Sequence, residues 1–385
     1  MSACAAPGEY DFFLFCGYCH NKPVVTGILR RLSNSHVVYA AKTLYGIILI
    51  DIVSVRVYNY WAYYYFIFVV ARIFILETDN VQFILKAEDG YRLSVTVWDR
   101  MIKQPKGSIL ILHGMSECVG RYNDFAKRLN EEGYIVAGLD LRGHGLTDKD
   151  NLGKTAKDHF QKSMSDAAEL VERMSIEYAE SPMYILAYDY GAFLVQGLIK
   201  SGGLKNRILI SGFILIGTTY AKDIRFWAGR KASYFKATKK GGNRDGQHFA
   251  RGYRSYDLIF HEGINGWLNR DFEEVGKFNT DELTGFVCDN NFFRSYFMGL
   301  RKLVKGKHSK TFANIPIMML GGERDCLSWF GRGIKKLCKV YRKKGFEKTE
   351  YKLYKKARHD LLFERNREEV MSDIVKWLDS RQTAL

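Results

Sequence analysis

Between residues 81 and 380 the sequence alternates short apolar runs with longer amphipathic stretches, and this alternation constrains the fold more than any other feature. Ser108-Ile-Leu-Ile-Leu112, the run 134–139 and Met183-Tyr-Ile-Leu-Ala187 carry no charge and are too short for ordinary helices. They lack the polar alternation of a half-exposed strand, so each reads as a strand buried on both faces. Further strands are expected at 82–87, 92–98, 208–216, 316–320 and 351–354, and helices at 121–131, 163–178, 191–200 and 365–380. Glu88-Asp89-Gly90-Tyr91 reads as a hairpin turn between 82–87 and 92–98. Strands separated by helices imply an α/β fold, a mostly parallel central sheet covered by helices on both faces. The stretch 221–310 breaks the alternation and reads as an insertion.

Open parallel sheets bind ligands beyond the carboxyl ends of their strands. Four chemically capable groups fall there. They are His113-Gly114-Met115, Ala187-Tyr188-Asp189-Tyr190-Gly191-Ala192, Gly321-Gly322-Glu323-Arg324-Asp325 and Ala357-Arg358-His359-Asp360. In chain order they present an elbow residue, then Asp325, then His359, which is the order nucleophile, acid, histidine of α/β-hydrolases.

From about residue 81 to 380, roughly three quarters of its length, the chain resembles the monoglyceride lipase and lysophospholipase branch of the α/β-hydrolases, the serine-aminopeptidase type. The resemblance rests on His113-Gly-Met-Ser-Glu117 followed by Arg121-Tyr122, on Asp140-Leu-Arg-Gly-His-Gly145, and on Asn265-Gly-Trp-Leu-Asn-Arg-Asp271. It implies hydrolysis of carboxylic esters of lipids, such as monoacylglycerol or lysophospholipid, with the insertion as a cap over the active site. It also implies that His359 is the general base and Asp325 orients it. The backbone N–H groups of Met115 and Tyr190 would form the oxyanion hole. Asp140, Arg142 and His144 carry catalytic residue types, but in the resembled family that turn is structural. Cys118 stands where the family usually has a histidine.

The family places a serine at the centre of Gly-x-Ser-x-Gly. Here the corresponding residues are Ala187-Tyr188-Asp189-Tyr190-Gly191, and no Gly-x-Ser-x-Gly occurs anywhere in the 385 residues. A serine needs a histidine base to become nucleophilic, whereas an aspartate is already ionised at neutral pH. Carboxylate attack on an ester carbonyl would give a mixed anhydride, an energetically poor intermediate. Attack on a saturated carbon gives an ordinary ester, which water activated by His359 would hydrolyse. Asp189-Tyr190-Gly191 resembles the Asp-Trp-Gly elbow of epoxide hydrolases and haloalkane dehalogenases, which use such an aspartate. Three readings therefore stand. One is a lipid-ester hydrolase with a Ser-to-Asp change at the elbow; another is an inactive lipid-binding or scaffolding protein of the same fold; the third is an aspartate-nucleophile hydrolase.

Charge narrows the choice of partner. The chain carries 58 Lys+Arg against 42 Asp+Glu, a net +16, yet residues 1–80 hold six basic and five acidic residues. The excess therefore lies in the hydrolase-like domain at 81–385. Residues 222–256 hold ten Lys/Arg and two Asp/Glu among aromatics such as Phe226, Trp227, Tyr234 and Phe235. Such a face suits an anionic membrane surface, and nucleic acid is not the expected partner. Residues 1–80 form a separate aromatic-rich extension. Residues 57–76 contain nine aromatics and one charge, Arg72, over a length that as a helix would span a bilayer core. With a weaker apolar run at 37–50, they read as a membrane anchor, as a poorly ordered extension or as a buried strand pair packed onto the domain. The expected location is cytoplasmic or membrane-associated through residues 37–76. Seven scattered cysteines do not make a disulfide framework, and Cys16-Gly-Tyr-Cys19-His20 is too isolated to argue for haem. No metal site and no cofactor is expected.

Overall fold

The computed structural model describes the backbone at 12–15, 26–33 and 36–42, and the chain at 80–381 apart from 99–101, 103, 179–180, 205–209 and 223. It divides into two compact units, Met1–Thr78 and Asp79–Leu385. In the first, β1 (Phe12–Phe15), β2 (Thr26–Ser33) and β3 (His36–Lys42) make a three-stranded antiparallel sheet in that order. The aromatic run at 57–76, Cys16 and Cys19 lie outside the described residues. Among the described residues no helix is long and apolar enough to cross a membrane.

The second unit is built on β4 (Val81–Lys86), β5 (Arg92–Trp98), β6 (Gly107–Leu112), β7 (Tyr134–Leu139), β8 (Met183–Tyr188), β9 (Ile210–Ile216), β10 (Ile317–Gly322) and β11 (Thr349–Tyr354). Their order across one sheet is β4-β5-β7-β6-β8-β9-β10-β11. Neighbours from β7 to β11 run parallel, whereas β5 is antiparallel to both β4 and β7. Every residue of β6, β7, β8 and β10 is buried, which is why these segments read as unbroken apolar runs. Of the outermost strands β4 is largely exposed and β11 partly so, and they carry Lys86 and Lys352, charges that discourage pairing with another sheet edge.

Helices α1 (Asn123–Glu131), α2 (His159–Glu177) and α3 (Tyr190–Ser201) cross between strands, and α9 (Arg332–Lys343) and α10 (Arg367–Asp379) follow β10 and β11. Between β9 and β10 the described chain is helical. It runs α4 (Ile224–Phe235), a π-helical turn at Lys236–Lys240, α5 (Gln247–Arg254), α6 (Asp257–Phe260), α7 (Phe272–Thr280) and α8 (Asn290–Val304). Successive strand residues point to opposite faces, so Leu110, Leu112, Ile185 and Phe213 join one core with α2, α3 and α9. Ile109, Ile111, Leu186 and Ile214 join a second core with α1 and α10. Each such side chain contributes about 1.5–3 kcal/mol on burial.

Most expected boundaries shift by one or two residues, and two helix starts differ for an identifiable reason. Helix α2 begins at His159 rather than 163, because the Phe160 N–H donates to Ser295 Oγ of α8 at 2.8 Å. That cap lies far along the chain and leaves no local signal. The segment 121–131 opens as a tight 3₁₀ turn, Val119–Tyr122, before α1. Helix α8, the last of the inserted helices, packs onto the sheet-covering helices. Its Phe292 and Tyr296 meet Tyr190 and Phe193 of α3 at ring separations of 5.0 and 5.8 Å.

Candidate active site

Strand β6 lies between β7 and β8, so the chain passes from β6 to β7 on one side and then crosses back to β8 on the other, a reversal that opens a crevice at the carboxyl end of β6. There β8 stops at Tyr188 and α3 starts at Tyr190, with Asp189 alone making the corner at φ +42° and ψ −107°. Such a conformation costs a residue with a Cβ on the order of 1–3 kcal/mol. The corner is closed by close backbone contact. A Cβ on Gly191 would lie 2.4 Å from the Leu112 carbonyl oxygen and 2.7 Å from that of His113, so only glycine fits. The Gly191 N–H donates to His113 O at 3.1 Å and the Asp189 N–H to Ile216 O at 3.0 Å. These bonds tie the elbow to β6 and β9.

Asp325 follows β10 and His359 follows β11, and the two meet. His359 Nδ1 is 3.1 Å from Asp325 Oδ1, which also accepts the Leu327 N–H at 2.9 Å. Across the imidazole, His359 Nε2 faces Asp189 Oδ1 at 3.8 Å. Trp267 and Tyr188 flank the ring, with centroids 5.0 and 5.2 Å away. Burial alone would drive the proton off His359. The charge and hydrogen bond of Asp325, then the charges of Asp189 and Asp360, override this and hold it up to about 9. The acidic neighbours thus favour the imidazolium over the neutral ring.

The second carboxylate oxygen of Asp189 has a different partner. Oδ2 accepts the Met115 N–H at 3.0 Å. Burial pushes the Asp189 carboxyl above its ordinary value, while His359 and the N–H groups of Met115 and Tyr190 act the other way. The Met115 loop is fixed from behind. Glu117 accepts the Gly114 N–H and, at 2.8 Å, the Tyr122 hydroxyl, and it pairs with Arg121. Arg121 reaches across to Asp360 at 2.7 Å and stacks its guanidinium on Phe363 at 4.0 Å. The Tyr190 side chain points away from the elbow carboxylate into a buried aromatic cluster with His144, His159 and Phe292.

Met115, Asp189 and His359 share a cavity of about 110 Å³ with Tyr253, Trp267 and Phe286. Asp325 lies fully buried behind His359. Of the residues singled out in the sequence, Met115, Asp189 and His359 line the cavity, Asp325 backs His359, and Tyr190 follows Asp189 with its side chain turned away. Sequence reasoning did not single out Trp267, Tyr253 or the Glu117–Arg121–Asp360 cluster as parts of the site. The first and last were visible as motif residues, but their contacts cross the fold. Asp140, Arg142 and His144 are buried and none lines the cavity. Asp140 accepts the Val119 and Leu146 N–H groups at 2.8 and 2.9 Å, and Arg142 pairs with Asp89 and Asp166. Cys118 is buried just before the 3₁₀ turn, its thiol pushed well up by burial and by Asp140. Among the described residues no group of His, Cys, Asp and Glu is arranged to hold a metal ion.

Residues 103–366 match the family described as serine aminopeptidase, S33. Monoglyceride lipase of Rattus norvegicus is 25% identical over 184 residues, which are 46% of this chain and 59% of the relative, so the match spans about three fifths of that relative's length. Among solved structures, a lipase in its open form superposes with a TM-score of 0.69 at 20% identity, covering 79% of this chain and 99% of the other. A soluble variant of the monoglyceride lipase of Saccharomyces cerevisiae, in complex with a substrate analogue, gives 0.62 at 18% identity, covering 80% and 97%. At these identities the structural likeness speaks for the fold, and the family match covers most of the chain. The chain belongs to the serine aminopeptidase S33 family and has the α/β-hydrolase fold.

Proposed function

We propose that this chain binds a monoacyl lipid ester of the kind its monoglyceride lipase relatives are named for, and that Asp189 holds the site without serine-type turnover. In this reading Asp189 stands at the position of the family's nucleophilic serine. His359 and Asp325 are the base and its orienting acid, and the N–H groups of Met115 and Tyr190 are the oxyanion donors. One observation carries the reading. The Asp189 carboxylate takes the Met115 N–H with one oxygen and faces His359 with the other. A donor meant for a developing oxyanion is thus already engaged by a resident anion, and the base is already protonated. A serine at 189 would relieve both conditions at once. Comparing wild type with Asp189→Ser on 1-monoacylglycerol and a p-nitrophenyl ester tests this. Hydrolysis should appear in the serine variant and be at least about a thousandfold slower in wild type; equal rates would overturn the reading.

The same geometry favours a second reading for a different substrate. Asp189 Oδ1, which faces His359 without a hydrogen bond at 3.8 Å, would attack a saturated carbon, forming an alkyl ester and expelling the leaving group with its bonding pair. Esterification would remove the negative charge facing His359, lower its proton affinity, and free it to activate water. Single turnover in ¹⁸O-water would then leave label in the Asp189 carboxylate, and an active wild-type enzyme without that label excludes this route.

The helices between β9 and β10, at about 221–310, are proposed as a cap. Exposed Trp227, Tyr234 and Phe235 on α4, with Lys231 lying 6.0 Å over Trp227 and Arg294 4.4 Å over Tyr234, support contact of this face with an anionic membrane surface.

A further inference from the structure

The charged side chains that line the cavity each have, with one exception, an oppositely charged neighbour within 4 Å. Asp189 faces His359 at 3.8 Å, and Glu117 and Asp360 share Arg121. The exception is Arg254, the last residue of α5. Among the described residues its guanidinium has no hydrogen-bond or ion-pair partner. Ala250, Tyr253 and Arg254 all line the cavity. Their i, i+3, i+4 spacing puts them on one helix face, so Arg254 extends the stripe that α5 turns toward the cavity. A cation in the last turn of a helix gains about 0.3–1 kcal/mol from the helix dipole. That accounts for a basic residue at the end of α5, but not for its unpaired place on this wall. Arg254 is exposed at the rim, while the Asp189 side chain, 14% exposed, lies deep. A ligand anion is therefore attracted at the rim and repelled at the elbow, which fixes the direction in which an anionic amphiphile enters. A planar fork of N–H donors matches the oxygens of a phosphate better than a neutral glycerol.

We infer that Arg254 selects monoacyl lipids with a phosphate head group over neutral monoacylglycerols, with the phosphate at Arg254 and the acyl ester toward Asp189. The inference rests on the reading of the cavity as a monoacyl-lipid site. Calorimetric titration of the full chain with 1-octanoylglycerol 3-phosphate and with 1-octanoylglycerol, both below their micelle-forming concentrations, tests it. Wild type should bind the phosphate lipid about tenfold more tightly. Arg254→Gln should abolish that preference, and Arg254→Lys should retain part of it. Equal affinities in wild type, or a preference that survives Arg254→Gln, overturn the inference while leaving the lipid site intact. Binding of neither lipid would refute the lipid site itself, and the inference with it. Glycerol 3-phosphate competing as well as the acylated form would mean a bare phosphate site and would also overturn it.

Discussion

Replacing Asp189 by asparagine removes one charge beside His359 while keeping the side-chain shape, and its effect follows from the distances. The nearest charged atoms, Asp189 Oδ1 and His359 Nε2, are 3.8 Å apart. Unit charges at about that separation interact by roughly 4 kcal/mol at an effective dielectric constant near 20. At about 1.4 kcal/mol per pH unit, this sets an upper limit of roughly three pH units. Asp189 is not wholly shielded from water, and screening lowers the figure to between about one and three. The His359 midpoint, held up to about 9 by burial-opposing carboxylates, should therefore move to roughly 6–8 in Asp189→Asn. Two-dimensional NMR of protein with ¹⁵N-labelled histidines follows each imidazole through such a titration. His113 and His144, lowered by burial to about 4 and about 3, remain neutral across this range and serve as internal references. Persistence of the His359 midpoint near 9 in the variant would refute the electrostatic argument, because Asp325 and Asp360 would then be holding the proton without Asp189. In Asp189→Ser the same reasoning predicts esterase activity rising with pH over the interval in which His359 is seen to titrate.

The folded-state proton affinities also predict a shape for stability against pH. His359 titrates above its unfolded value of roughly 6.5, so its contribution, about 3 kcal/mol, is complete below that pH and is lost as pH rises through about 9. His113 and His144 titrate below it, so the unfolded chain takes up those protons first and stability also falls as pH drops from about 6.5 toward 4. Urea unfolding should show a maximum near pH 6.5–7, and a steady rise from pH 6 to 9.5 would contradict the assignment. Gly191→Ala drives a Cβ into two carbonyl oxygens and should destabilise by about 1–3 kcal/mol or more, read as a lowered urea midpoint. Arg121→Leu leaves Glu117 and Asp360 buried without their cation and should cost about 3–5 kcal/mol by the same assay. In co-sedimentation, vesicles containing phosphatidylserine should retain more protein than phosphatidylcholine vesicles, with the difference reduced in Trp227→Ser/Lys231→Ser.

The sheet was legible because its strands are buried on both faces, so Ser108–Leu112 and Met183–Ala187 had no competing periodicity. The elbow was legible too, since Asp189 and Gly191 sit where an apolar run meets a helix start. The assembly of the site was harder to read. Trp267 reaches His359 from the helical segment between β9 and β10, and Arg121 joins Glu117 to Asp360 across most of the domain. Each is an ordinary residue locally and acquires its place only through the packing of distant segments. The start of α2 was missed on the same grounds, since Ser295 supplies its cap. The electrostatics were furthest from view. A histidine in sequence suggests a base, and only its setting between Asp325 and Asp189 reveals a cation.

The sharp corner at residue 189 has a use at the bench. Its left-handed backbone is imposed by Gly191 and by the hydrogen bonds that the Asp189 and Gly191 N–H groups donate to carbonyls of β9 and of the residue after β6, not by the side chain that happens to occupy it. Serine, cysteine, asparagine and alanine would all meet the same main-chain path there. A panel of substitutions at this one position thus compares functional groups presented from a common pedestal. Differences in rate among its members would report reactivity, with reshaping of the fold largely held constant.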